Sequence, residues 1–209
     1  NPNHYKFEET LKEYDFRGKK ELYSVQFNEP GRHKEAADWY RVNPHRLHLG
    51  NIGLELINDK GTQAKTDEIK SIDQTLDLWN GLVKSKFSFD ADSVQVETAC
   101  HPQKDQIGVS IHSPLITKGK LKVNFRFSYP TGNHTDDACN RSVPDKHKTI
   151  IIAQDDHSVI FKRELDSTSY YVTVKWEGKA TVKEKEAHYF ILDPTDGKIS
   201  FTCEFTNEK

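Results

Sequence analysis

The stretch Trp39-Tyr40-Arg41-Val42-Asn43-Pro44-His45-Arg46-Leu47-His48-Leu49-Gly50-Asn51-Ile52-Gly53-Leu54 holds the residues of this chain best suited to chemistry. Trp39 and Tyr40 offer flat rings on which the C–H face of a sugar can stack. Arg41, Asn43, His45 and Arg46 offer the fixed polar partners that sugar hydroxyls need. Polar groups this dense cannot all be buried without partners, so the segment either wires a loop together or faces a ligand. Gln74, Asp77 and Trp79 form a second, smaller set. Trp39, Arg41, Asn43, His45, Arg46, Gln74 and Trp79 are therefore the candidate carbohydrate-binding or domain-interface residues. Each has a plainer reading too. Trp39 could staple a neighbouring domain, Trp79 could pack in the core, and the arginines could tie loop carbonyls or carboxylates together.

Other chemistries find no support in the spacing. The ten histidines show no metal-ligand pattern, and His45 and His48 would point to opposite faces of an extended segment. Asp136-Asp137 and Asp155-Asp156 read as solvated turn carboxylates rather than calcium ligands. There is no Gly-x-Ser-x-Gly elbow and no glycine-rich phosphate loop. Glu97, Glu164 and Glu204 fall opposite the apolar stripe of their strands and read as solvent-facing. Cys100 and Cys203 alternate with inward positions and read as buried small hydrophobes, which leaves Cys139, in a polar loop, as the reactive thiol. No catalytic residue, metal or cofactor is assigned to this chain.

The elements that must position these residues are mostly strands. Phe7, Leu11 and Tyr14 fall at helical spacing, Leu22 to Phe27 suggests a strand, and Arg32 to Tyr40 suits one or two helical turns closed by Asn43-Pro44. From Ile52 onward apolar residues alternate with polar ones. Asn80-Gly81 predicts a hairpin, and Asp193-Pro194-Thr195-Asp196-Gly197 predicts a second one joining Tyr189–Leu192 to Ile199–Phe205. About ten to twelve strands at this spacing predict an all-β sandwich or barrel. The polar stretch from Pro130 to Lys148 reads as a long loop. Residues 1–40 are expected to form an irregular segment packed on a single β-sandwich domain over 41–209.

Composition narrows the partners. Thirty Lys and Arg against 32 Asp and Glu give a net charge of −2, without the basic excess of nucleic-acid binders. No apolar run is long enough to span a bilayer. The chain begins at Asn1 and contains no Met, so it reads as a piece of a larger or processed protein with no signal peptide of its own.

Several ordered motifs carry a likeness. The segment Arg41 to Leu54 resembles the start of the bacterial six-hairpin-glycosidase-like proteins. So do Gln74-Thr75-Leu76-Asp77-Leu78-Trp79-Asn80-Gly81 with Ser85-Lys86-Phe87, Val94-Gln95-Val96-Glu97-Thr98, and His101-Pro102-Gln103-Lys104-Asp105-Gln106-Ile107. Ile199-Ser200-Phe201-Thr202-Cys203-Glu204-Phe205 resembles the end of their first domain. The likeness runs over most of residues 40 to 205. It implies a large antiparallel supersandwich, galactose-mutarotase-like, with a short N-terminal helical segment. It also implies an (α/α)6 catalytic domain of the same polypeptide as partner, an oligosaccharide at or near the shared wall, and a periplasmic or extracellular setting. The catalytic acid and base belong to the toroid, so none is carried onto this chain. Two rival readings stay open. One is an autonomous carbohydrate-binding module. The other is a mutarotase- or epimerase-type enzyme using His112, His157 and Glu164.

Overall fold

A computed structural model describes residues 3–24, 30–42, 47–130 and 138–208. The chain divides into two compact units, Asn1–Leu47 with Pro130–Asn140 and His48–Tyr129 with Arg141–Lys209.

The first unit holds a 3-10 turn at Phe7–Thr10, strands β1 (Leu11–Phe16) and β2 (Lys19–Ser24), and helix α1 (Arg32–Arg41). The helical spacing of Phe7, Leu11 and Tyr14 yields only that single turn. Arg17 and Gly18 both take positive φ, which gives a tight primed turn and commits Leu11 onward to pairing with β2. Helix α1 forms where Ala36 and Ala37 favour it, and both alanines are fully buried. Arg32 pairs with Glu9 at 2.7 Å, and the Tyr40 ring meets Phe7 edge-on.

The second unit is the expected sandwich. An eight-stranded antiparallel sheet runs in the order β4 (Lys70–Asp77), β5 (Leu82–Phe89), β6 (Asp92–Cys100), β7 (Gln106–His112), β14 (Lys198–Thr206), β11 (Thr168–Glu177), β10 (Ser158–Leu165) and β9 (His147–Gln154). A four-stranded sheet runs β12 (Ala180–Glu186), β13 (Tyr189–Pro194), β8 (Leu121–Arg126) and β3 (Asn51–Leu56). Helix α2 (Pro114–Thr117) is a single turn capped by Ser113. Strict alternation buries Val159, Phe161, Arg163 and Leu165 on β10 and Ile199, Phe201 and Cys203 on β14. Opposite them lie Leu121, Val123 and Phe125 of β8 and Phe190 and Leu192 of β13. Phe125 meets Phe201, and Phe161 meets Phe190, with ring centres 5.8 and 4.6 Å apart. Each such side chain contributes roughly 1.5–3 kcal/mol by burial.

Two expectations fail. The turn at Asp193–Gly197 does not close a hairpin, because β13 belongs to the small sheet and β14 to the large one. Pro194 and Gly197 do turn the chain, but they carry it across the sandwich. Cys203 is buried, and burial pushes its thiol up to about 12, whereas Cys100, the last residue of β6, is exposed. Cys139 is half-buried, so the exposed thiol is Cys100.

Candidate functional site

The two sheets differ in width, and that difference creates the site. Strand β3 lies over β6 and β7, where Ile52 and Leu54 share a small cavity with Thr98, Ile107 and Ile111. Strand β8 lies over β14 and β13 over β10, through the ring contacts above. The Gln154 amide of β9 reaches the Val182 carbonyl of β12. Nothing in the small sheet is left to cover β4 and β5, so the large sheet overhangs on that side. Gln74 and Leu76 face inward there, paired with Ser85 and Val83, and the Gln74 amide donates to Ser85 Oγ at 2.6 Å. Beyond them the hairpin tip carries Leu78, 84% exposed, and Trp79, 96% exposed. Asp77 fixes the tip: the bond from the Asn80 side-chain amide, then those from the Asn80 and Trp79 backbone N–H groups, hold its carboxyl below the usual range. Ile72 and Leu76 are exposed as well. An apolar cluster of this kind on a monomer's surface marks a contact site.

Gln74, within β4, and Trp79, in the turn that follows it, both lie on the overhang, and the core reading of Trp79 is overturned. Trp39 and Arg41 sit on α1 in the other unit. Trp39 is half-exposed, with its ring edge-on to Tyr40 at 4.8 Å. Asn43, His45 and Arg46 lie outside the described residues. The rest of the polar entry segment has structural work. The Leu49 carbonyl accepts from Tyr170 Oη at 2.6 Å, and a Cβ on Gly50 would come within 3.1 Å of the Phe127 ring.

The outward face of the large sheet forms a groove. Ala99, Gly108, Ser110, Ser200 and Thr202 floor it. Two adjoining depressions of about 440 and 620 Å³ share Glu97 and Ser110. Lys84 pairs with Glu97 across it at 3.6 Å. The groove is rich in hydroxyls and charges, but the aromatics of its lining, Trp176 and Phe201, are buried. His112 and His157 lie toward one end of this sheet and Glu164 at the other, some 20 Å along the strands. They do not converge, so the His112, His157 and Glu164 set is not an acid–base site.

A third feature was hidden in the alternation. Arg163 stands in phase with Val159 and Phe161 and is wholly buried. Its Nη1 donates to the Lys148 carbonyl at 2.8 Å and to Thr149 Oγ1. Its Nη2 donates to the Ser128 carbonyl at 3.3 Å and to His147 Nδ1 at 2.7 Å. Because the guanidinium only donates, His147 Nδ1 must accept and the ring proton sits on Nε2. Thr149 Oγ1 in turn donates to His188 Nδ1 at 2.8 Å, and His188 Nε2 donates to the Pro144 carbonyl at 2.9 Å. The two imidazoles stack with centres 3.8 Å apart. Burial, then the Arg163 charge and His188, lower His147 to about 4, so it is neutral near pH 7.

Glu55 completes the polar interior. It is buried on the face of the small sheet turned from the core, with Lys185 at 2.7 Å and a hydrogen bond from Tyr189 Oη. Burial alone would raise its carboxyl, but the bonds from Lys185 and Tyr189 outweigh that and hold it below the ordinary value. Tyr189→Phe should cost about 1–3 kcal/mol in urea unfolding at neutral pH. The depressed carboxyl contributes stability above its unfolded pKa, so the penalty should shrink as pH falls and the carboxyl protonates.

Among the described residues no group of three or more His, Cys, Asp or Glu could hold a metal ion, and no helix is long and apolar enough to cross a membrane. No family model matches the chain, and no curated protein matches it. A solved structure does, entitled "Putative kojibiose phosphorylase from human microbiome". It aligns with a TM-score of 0.53 at 10% identity, over 76% of this chain and 22% of that one. That likeness shows the fold, and the chain spans about a fifth of its neighbour's length.

Proposed function

We propose that this chain is the N-terminal accessory β-sandwich of a six-hairpin-glycosidase-like protein. It seats an (α/α)6 catalytic domain of the same polypeptide and shapes one wall of that domain's oligosaccharide cleft. The observation that carries this reading is the bare apolar overhang at β4 and β5, where Leu76, Leu78 and Trp79 face solvent. A domain that works alone has reason to cover such residues. A domain that docks needs them uncovered. The solved neighbour supports the reading, since the matching sandwich is a 22% portion of a longer chain whose title is that of a glycoside phosphorylase. Catalysis is assigned to the toroid, and Trp39, Arg41, Asn43, His45 and Arg46 are proposed to line the shared wall. The protein would act in the periplasm or outside the cell.

The test compares this chain with a polypeptide extended past Lys209. In the longer protein, Trp79 should become shielded from acrylamide and the β4–β5 amides should exchange more slowly. Trp79→Ala should shift the stability of the 209-residue chain by no more than about 0.5 kcal/mol, because the side chain packs on nothing there. Equal quenching of Trp79 in both proteins would sink the docking role. The polar groove favours a second reading, an autonomous carbohydrate-binding module. Measurable heat when oligosaccharides are titrated into the 209-residue chain, lost on Glu97→Ala, would favour the module over the accessory domain.

A further inference from the structure

We infer that the cavity bounded by Arg126, Arg141, His147 and His188 is a binding site for a small oxyanion such as phosphate, sulfate or a carboxylate. The cavity, about 80 Å³, lies where the end of β8, the start of β9 and the β12–β13 turn meet. Its volume suits a tetrahedral oxyanion or a carboxylate and excludes a sugar ring.

Charge is the first argument. The lining carries two guanidiniums against one carboxylate, Glu186. Neither arginine has an ion-pair partner among the described residues, and Arg126 instead lies 3.9 Å over the Tyr189 ring. Behind the wall stands a third guanidinium, Arg163, buried without a carboxylate and bonded to His147. Other cations on and beside the small sheet are handled otherwise. Lys185 has Glu55, Lys122 has Asp193, and Lys120 has both Asp59 and Asp90. An excess of cations around a small concavity focuses positive potential into it.

The hydrogen-bond inventory is the second argument. The wiring from Arg163 through Thr149 fixes both imidazoles as Nε2–H tautomers. His188 spends that proton on the Pro144 carbonyl, whereas His147 Nε2–H has no protein acceptor among the described residues. Ser128 Oγ is likewise buried without a partner in the same cluster. Donors outnumber acceptors here, and an oxyanion is the ligand that supplies acceptors and negative charge together. Arg126 and Arg141 would grip it, with His147 Nε2–H as a third donor.

Titration calorimetry on the 209-residue chain tests this with inorganic phosphate, sulfate and acetate, each against chloride at matched ionic strength. At least one of the three should bind where chloride does not, and the acetate arm separates a carboxylate site from a tetrahedral one. Arg126→Gln and Arg141→Gln should each weaken that binding by at least about tenfold, the loss of one charge-assisted bond. Lys60→Gln, on an exposed turn, should leave it unchanged. The bound anion should also move the His147 Nε2–H resonance. Both arginines are at least partly exposed, so their variants are expected to fold, which circular dichroism checks. Absence of oxyanion binding above chloride would overturn the site, and so would full-strength binding in both arginine variants. Either result would leave the docking role of the overhang untouched.

Discussion

Arg163→Met should destabilise the protein by about 3–5 kcal/mol, more than any other single substitution in its polar interior. Methionine replaces the aliphatic stem and removes the cost of burying a cation. It also leaves the Lys148 and Ser128 carbonyls and His147 Nδ1 without their donor. A buried acceptor left unmatched costs about 1–3 kcal/mol, and three are stranded together. Ordinary buried ion pairs often tolerate apolar replacement because both charges leave together. Two of the four partners of Arg163 are backbone carbonyls, which no side-chain change removes. Urea unfolding should show a lower midpoint with an unchanged slope. Arg163→Lys should recover only part of the loss, since one ammonium cannot reach acceptors spread over β9 and the strand-end segment at Ser128. A midpoint within about 0.5 kcal/mol of wild type for Arg163→Met would refute this account.

The second large effect is a loss of stability on mild acidification, centred on His147. In the unfolded chain this imidazole takes a proton near 6.5, but in the folded protein burial and the neighbouring Arg163 hold it off until about 4. Between those values the unfolded state binds more protons, so stability falls as pH drops through the window and levels out below it. The span corresponds to roughly 3–3.5 kcal/mol. Protonation would also turn Nδ1 from an acceptor into a donor aimed at a guanidinium. In His147→Asn the amide oxygen takes the place of Nδ1 and accepts from Arg163, and nothing titrates. The stability difference between wild type and variant should therefore change between about pH 6.5 and 4 and be flat above about 7. Taking that difference cancels the carboxylates, such as Glu55, that titrate at the acid end. A pH-independent difference, or a His147 resonance titrating near 6.5, would refute the assignment.

Local pattern made much of the fold legible. Alternation placed Ile107, Phe161, Val172 and Phe201 on one face of their strands and Glu97, Glu164 and Glu204 on the other. Asn80-Gly81 gave the β4–β5 hairpin, where Gly81 takes positive φ. Arg163 could have been found the same way, as a charged residue in the apolar phase of β10, though phase alone does not say what it bonds.

By itself, then, the sequence determined which residues share a strand face, where the chain turns and that the second unit is built of strands. These follow from the two-residue repeat of extended backbone and from glycine and proline torsions, all of which act within a few residues. Only the tertiary structure decided that the turn at Pro194 crosses between sheets, that Trp79 and Cys100 face solvent, and that Arg163, His147 and His188 form one cluster beside a cavity. Those outcomes depend on which strands pair across long stretches of chain and on where the narrower sheet stops. No local spacing encodes either.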